Sequence, residues 1–334
     1  MVRNWCYDTG AFKSREFDLP VISVGNLTIG GAGKSPMTEY LIRLLKQDYK
    51  PATLSRGYGR ETKGFKIATP TATASRVGDE PAQFKHKFPD ITVAVCEKRV
   101  DGIEQLKADH ELIILDDAYQ HRAVKPGLSI LLFDYNSLDA PHLVLPAGNY
   151  REPFSGRWRA DVIIISKCPE DLDNAMQNDI AAGMALLPWQ QLYFTTISYM
   201  RLHDMDGNPS MTVIDKDTTV FLLTGIANAS PLLAHIKKQT INVIHHNYPD
   251  HHRFSLKNIT KLADEFAACA SQKKVIITTE KDAQRLGEQE LLPLIKKLPV
   301  LVMPIGVMFL KDQQQFDQFV IEYVRKFREH HPVH

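Results

Sequence analysis

Gly30-Gly31-Ala32-Gly33-Lys34-Ser35 follows the β-branched run Val21-Ile22-Ser23-Val24 and precedes Tyr40, Leu41, Leu44 and Leu45 at helical spacing. Strand, glycine turn, Lys-Ser and helix are the parts of a phosphate cradle. Glycines let backbone N–H groups converge on anionic oxygens, and a helix N-terminus adds partial positive charge. In such a loop Lys34 reaches the β- and γ-phosphates, and the Ser35 hydroxyl sits on Mg²⁺. The usual spacing puts a glycine five residues before Gly33; Thr28 stands there, and Gly30 and Gly31 crowd the turn instead.

Glu111-Leu112-Ile113-Ile114-Leu115-Asp116-Asp117 is an apolar strand ending in carboxylates, the way a phosphate-loop protein supplies its magnesium-side acid. The other reading is a strand end capped by aspartates. Gln120, His121 and Arg122 follow at the carboxyl edge, where open α/β sheets bind ligands. Asp79 and Glu80 lie at a loop-to-helix junction, as an ordinary N-terminal cap or as a base for an acceptor hydroxyl. His245, His246, His251 and His252 suggest a catalytic loop, a metal site or exposed loop histidines, and nothing nearby in sequence completes a zinc set. Arg56 and Arg60, Lys98 and Arg99, and Arg151, Arg157 and Arg159 cluster beside glycines and aromatics, which suits an anionic sugar or phosphate better than DNA. A guanine reader needs a carboxylate after Ser166-Lys167-Cys168, and Pro169 stands there, so ATP is favoured over GTP; Lys167 can still pack under a purine.

These groups need a scaffold. Apolar runs at 21–24, 52–55, 92–96, 112–115, 129–133 and 162–166 alternate with helical patterns at 34–46, 79–87, 99–108 and 171–185, the sign of a parallel sheet covered by helices. A β-ribbon, with strands at 193–197 and 212–214 around the turn at 204–209, leads to a second βα pattern. Strands at 220–223, 241–245, 275–278 and 300–303 and helices at 231–238 and 313–328 make up that second part. The expected organisation is α/β. A P-loop NTPase-like core domain spans 1–194, a ribbon linker 195–217, and a smaller α/β domain 218–330, whose last helix can pack back on the core.

The 334 residues, 44% hydrophobic and 24% charged, suit two folded domains and not a disordered chain. A net charge of +1 argues against a general nucleic-acid binder. Cys6, Cys96, Cys168 and Cys269 lie far apart and read as reduced thiols of a cytoplasmic protein. No apolar run approaches the roughly eighteen residues of a membrane span.

Together these segments resemble the tetraacyldisaccharide 4′-kinase family of the lipid A pathway. The loop Gly25–Pro36 resembles that family's atypical P-loop, Thr28 included. Leu54–Arg60, Val77–Pro81, Leu115–Arg122, Pro146–Pro153, Thr224–Asn228, Tyr248–His252 and Thr278–Ala283 agree in order, so the resemblance covers roughly 2–325. It implies Mg²⁺-ATP-dependent phosphorylation of the 4′-hydroxyl of a tetraacylated glucosamine disaccharide 1-phosphate, giving lipid IVA. By the same resemblance Asp79 is the base and His251 its dyad partner, with Lys34 and Asp117 in the catalytic set. The loop residues Thr28, Gly30, Gly31, Ala32, Gly33, Lys34 and Ser35 hold nucleotide. Ser35, Asp116, Asp117 and Glu152 surround magnesium, while Arg56, Arg60, Arg99, Gln120 and Arg151 meet substrate.

Family members usually begin with an apolar anchoring helix, and Met1-Val2-Arg3-Asn4-Trp5-Cys6-Tyr7 looks like the end of one. Either the start of that helix is truncated, or peripheral attachment to the cytoplasmic face of the bacterial inner membrane runs through a patch of Trp5, Tyr7, Phe12 and Phe17 beside Arg3, Lys13 and Arg15. No nucleic acid or obligate protein partner is expected. The alternative from another class is a nucleotide-dependent metal-delivery GTPase using the histidines of 245–252, and a third reading is an inactive nucleotide-binding module.

Overall fold

A computed structural model describes residues 2–330. The large unit contains β1 (Val21–Asn26), β2 (Pro51–Ser55), β3 (Lys66–Ile67), β4 (Thr92–Val95), β5 (Leu112–Asp116), β6 (Leu128–Asp134), β7 (Val162–Ser166) and β8 (Gln191–Tyr199). Its helices are α1 (Val2–Asp8), α2 (Lys34–Leu45), α3 (Ala74–Val77), α4 (Asp79–Lys87), α5 (Arg99–Leu106) and α6 (Asn174–Met184). The small unit contains β9 (Thr219–Thr224), β10 (Val243–Asn247), β11 (Lys274–Thr279) and β12 (Val300–Met303). With them come α7 (Ser230–Lys237), α8 (Leu256–Ala268), α9 (Glu280–Leu286) and α10 (Leu292–Ile295). The chain then returns to the large unit as β13 (Ile305–Phe309) and α11 (Gln313–His330).

The large sheet runs β13-β8-β7-β6-β1-β5-β2-β4-β3, parallel except at its two outer pairs, and the small sheet runs β10-β9-β11-β12, parallel throughout. The central strands read as unbroken apolar runs because helices cover both faces. On one face Ile22, Val24, Ile114 and Ile164 pack with Met37, Leu41 and Leu45 of α2 and with Phe316, Val320 and Val324 of α11. On the other, Val21, Leu54, Ile113 and Leu115 pack with Ile103 and Leu106 of α5. Burying each such side chain contributes about 1.5–3 kcal/mol, so α11 binds the end of the chain firmly to the large unit.

Three local expectations are corrected. Residues 212–214 form no strand; the antiparallel partner of β8 is β13, paired from Ile305 with Tyr199 to Phe309 with Thr195, so 195–199 belong to the large sheet. The expected helix at 171 begins at Asn174, because the Asp173 side chain accepts from the Met176 N–H and caps it. Phe17 does not join a surface patch: it is buried in the large unit's core with Arg15 stacked over its ring, whereas Trp5 and Phe12 are exposed. No helix among the described residues is long and apolar enough to cross a membrane.

Candidate active site

Both sheets point the carboxyl ends of their parallel strands at one cleft of about 880 Å³, the edge where such sheets place ligands. On the large-unit wall, the loop after β1 turns into α2 at Gly33, whose φ of +81° is left-handed and favours glycine. Ser166, at the end of β7, donates from Oγ to Ala32 O (2.9 Å) and pins the turn. Lys34 opens α2, and its Nζ donates to Asn26 Oδ1 (3.2 Å) and stands 3.7 Å from Asp117 Oδ1. Burial lowers its pKa, with the Asp117 charge working the other way. These contacts hold the ammonium at the mouth of the turn, where it can meet phosphate.

Asp116 ends β5 fully inside the wall, and Thr38 of α2 donates to its Oδ1 (3.0 Å). Burial first, then the neighbouring Glu80 and Asp117 charges, push its carboxyl up to about 7. Arg151 Nη1 donates to Asp117 Oδ1 (3.0 Å) and Gln120 Oε1 (3.3 Å), linking acid and amide. Ser35, Asp116, Asp117 and Glu80 all line the cleft, as do Arg56, Arg99, Gln120 and Arg151. Arg99 is buried and anchored to Cys96 O and Glu97 O, each at 3.1 Å.

The opposite wall joins both units. Gly78, at φ +97°, leads into α4, and a Cβ there would lie 3.0 Å from Tyr58 O, so a side chain is excluded where the helix starts. Asp79 is thereby placed in the first turn of α4, where the helix dipole favours a negative charge. Its Oδ2 accepts from His251 Nδ1 (2.9 Å), in the loop after β10, and from Arg285 Nε (3.0 Å) and Nη2 (2.5 Å), on α9. Burial alone would raise the Asp79 pKa, but hydrogen bonds from His251 and Arg285 and the guanidinium charge outweigh it and hold it at about 2. The hydrogen bond to Asp79 in turn raises the pKa of His251. Because Asp79 is ionised, the shared proton belongs to His251 Nδ1. His251 lines the cleft, and Asp79 lies beside it with its side chain 14% exposed. Asp117, Lys167 and His251 all line the cleft with left-handed φ values of 47°, 59° and 56°, strain of the kind that gathers at working sites.

Other expected residues go elsewhere. Glu152 is buried away from the cleft lining, and its carboxylate accepts from Asn4 Nδ2 (2.8 Å), Gln120 Nε2 (3.0 Å) and Arg159 Nη2 (2.8 Å), which engages it as a buttress. Arg60 ties its own loop together, donating to Glu97 Oε1 (2.5 Å) and Gly64 O (2.8 Å), and does not reach the cleft. Thr28 and Ala32 line a separate cavity of about 210 Å³ beside the turn. Lys167 pairs with Asp134 (2.6 Å). The histidines of 245–252 disperse: His245 to Thr224, His246 toward Glu265, His252 to Asn258, and only His251 to the dyad. No cluster of His, Cys, Asp and Glu able to hold a metal exists among the described residues.

Sequence reasoning missed Asn26, Lys281 and Arg285. Lys281 donates to Glu80 Oε1 (2.6 Å) across the two units. The available signal was the spacing of Lys281, within the Thr278–Ala283 segment, and Arg285, four residues on and hence on the same helical face.

The family model for tetraacyldisaccharide-1-P 4′-kinase matches residues 1–325. A tetraacyldisaccharide 4′-kinase of Phocaeicola vulgatus is 46% identical, over 97% of this chain and 91% of its own. One from Bacteroides thetaiotaomicron is 42% identical, over 97% and 90%. The crystal structure of "apo" form LpxK from Aquifex aeolicus in complex with ATP superposes with a TM-score of 0.74 at 26% identity, covering 97% of this chain and 94% of that one. Cleft, phosphate loop and dyad thus stand in a fold and a sequence shared along nearly the whole length, and the chain belongs to the tetraacyldisaccharide 4′-kinase family.

Proposed function

We propose that this phosphotransferase moves the γ-phosphate of ATP to the 4′-hydroxyl of tetraacyldisaccharide 1-phosphate, giving lipid IVA, with chemistry shared between the two walls of the cleft. The observation that carries the reading is the meeting of Lys34 and the loop on one wall with the ionised Asp79–His251 pair on the other. Lys34 and the loop amides bind and orient the phosphates. The transferred group passes through a loose transition state, so positioning and charge matter more than a strong base. A carboxylate held at about 2 is a weak base but a permanent acceptor; the dyad orients the hydroxyl and takes its proton as one coupled unit. Among the described residues no hydrogen bond reaches Asp79 Oδ1, which is left for this purpose.

Asp116, Asp117 and Ser35 suit Mg²⁺: they offer hard oxygen donors together on the cleft lining. Bound there, the ion would neutralise phosphate charge, while Thr38 keeps Asp116 oriented. Arg56, Arg99, Gln120 and Arg151 provide the anion-binding side for the acceptor, and Trp5 and Phe12 a lipid-facing one. The metal-delivery alternative is not favoured, since the histidines disperse. Incubation with ATP and the tetraacyl acceptor should yield a product one phosphoryl group heavier, with the new ³¹P resonance at the 4′ position. Phosphate release without acceptor phosphorylation would refute the assignment.

A further inference from the structure

Asp79 belongs to α4 of the large unit, and the guanidinium that grips it belongs to α9 of the small one. Arg285 is built in rather than draped across a surface: its side chain is only 6% exposed. Nη1 donates to Gly225 O (2.8 Å) and to Asp282 Oδ1 (2.9 Å). Asp282 is fully buried and is itself fixed at Oδ2 by the Gly225 N–H (3.0 Å) and Thr279 Oγ1 (2.7 Å). One edge of the guanidinium is thus committed to the small unit, and Nε and Nη2 are left to clamp a single oxygen of Asp79. That oxygen is also the one His251 uses, and Arg285 Nη2 lies 3.3 Å from His251 Nδ1.

We propose that Arg285 is a positioning residue for phosphoryl transfer, fixing the Asp79 carboxylate against His251 so that the dyad is complete only when α9 meets α4. The inference rests on the dyad reading given above. It explains why neighbouring contacts run between the same two helices: Lys281 to Glu80 (2.6 Å), Lys87 to Glu280 (2.5 Å) and His86 to Gln284 (2.5 Å) hold α9 in register with α4. The charged and titratable groups around Asp79 are Glu80 on its own helix, Lys281, Asp282 and Arg285 from α9, Asp250 and His251 from the loop after β10, and Tyr58, whose ring lies 5.7 Å from that of His251. Of these, Arg285 and His251 are the groups that donate to its carboxylate.

Without the guanidinium Asp79 keeps its burial but loses two of three donors, so its pKa rises. His251 simultaneously loses a repelling positive charge, and its pKa rises as well. Both changes move the acid limb of kcat/KM to higher pH. Arg285→Gln should lower kcat about 10- to 100-fold with the KM for ATP nearly unchanged, and shift that limb upward by on the order of one pH unit. Arg285→Lys, which keeps the charge but not the two-donor fork, should restore the limb and only part of kcat. In an Asp79→Asn background, Arg285→Gln should cost less than about threefold more, because the two act as a unit. Melting temperature and ATP affinity for each variant separate these effects from misfolding, and Arg285→Lys carries the pH comparison should the glutamine variant not fold. An unmoved acid limb, or fully additive losses in the double variant, would overturn the inference alone. Wild-type turnover in Asp79→Asn would overturn it together with the dyad reading.

Discussion

Two aspartates at the cleft stand in opposite states. Asp116, sealed within the large unit beside Glu80 and Asp117, has its carboxyl pushed up to about 7. Asp79 is also largely enclosed, but His251 and Arg285 hold it at about 2. Burial acts on both in the same direction; the partners decide the outcome. Asp116 is under-compensated, whereas Asp79 is over-compensated by groups of its own chain. The second wall is built where the two units meet. Pairs of carboxyls driven apart in this way are how one site separates charge neutralisation from proton handling.

The contrast can be broken in several ways. Removing the cation of the first wall should do most: Lys34→Ala is expected to lower kcat/KM by about 10³-fold or more and to weaken ATP binding, both read in steady-state transfer assays. Turnover near wild type would dissolve the first wall's role. Asp116→Asn should cost about 10²-fold in transfer yet stabilise the metal-free protein. A carboxyl whose folded pKa is raised loses stability as pH climbs from the ordinary carboxylate range through about 7, so at pH 8 without divalent cation the variant should melt roughly 2–5 °C above wild type. Added Mg²⁺ should narrow that gap, and the wild type's Mg²⁺ requirement should rise as pH falls below about 7. A lower melting temperature for the variant would contradict the under-compensated state. The smallest effect belongs to Glu152→Gln. Its carboxylate is engaged by Asn4, Gln120 and Arg159, so the Mg²⁺ dependence should not change, while lost charge-assisted bonds cost about 1–3 kcal/mol in denaturant titrations.

The two walls also differ in how far the sequence disclosed them. The phosphate loop lies in one contiguous stretch, and Asp116-Asp117 ends a strand whose apolar run is plain, because local spacing encodes both. Of the opposite wall, Asp79 and His251 were visible as members of motifs 172 residues apart, but nothing local states that they touch. Arg285 lies 206 residues from Asp79 and follows the recognisable Thr-Glu-Lys-Asp-Ala segment, so only tertiary packing brings it to the carboxylate. Arg60 and Glu152 show the converse: charge beside glycines suggested Arg60 and the family resemblance suggested Glu152, but neighbours that no spacing reveals engage both. The central strands were legible because burial on both faces leaves continuous apolar runs. The pairing of β8 with β13, more than a hundred residues later, was not, and 212–214 looked β-branched enough to stand in for it.

On the proposed reading, phosphoryl transfer requires the ionised Asp79 of the second wall while the first wall holds nucleotide. Single-turnover transfer of γ-labelled phosphate from ATP to tetraacyldisaccharide 1-phosphate, measured for Asp79→Asn at saturating Mg²⁺-ATP, tests it most directly. The expected result is a rate lower by about 10²- to 10⁴-fold with ATP affinity within twofold of wild type. A rate equal to wild type, or a loss traceable wholly to weaker ATP binding, would contradict it.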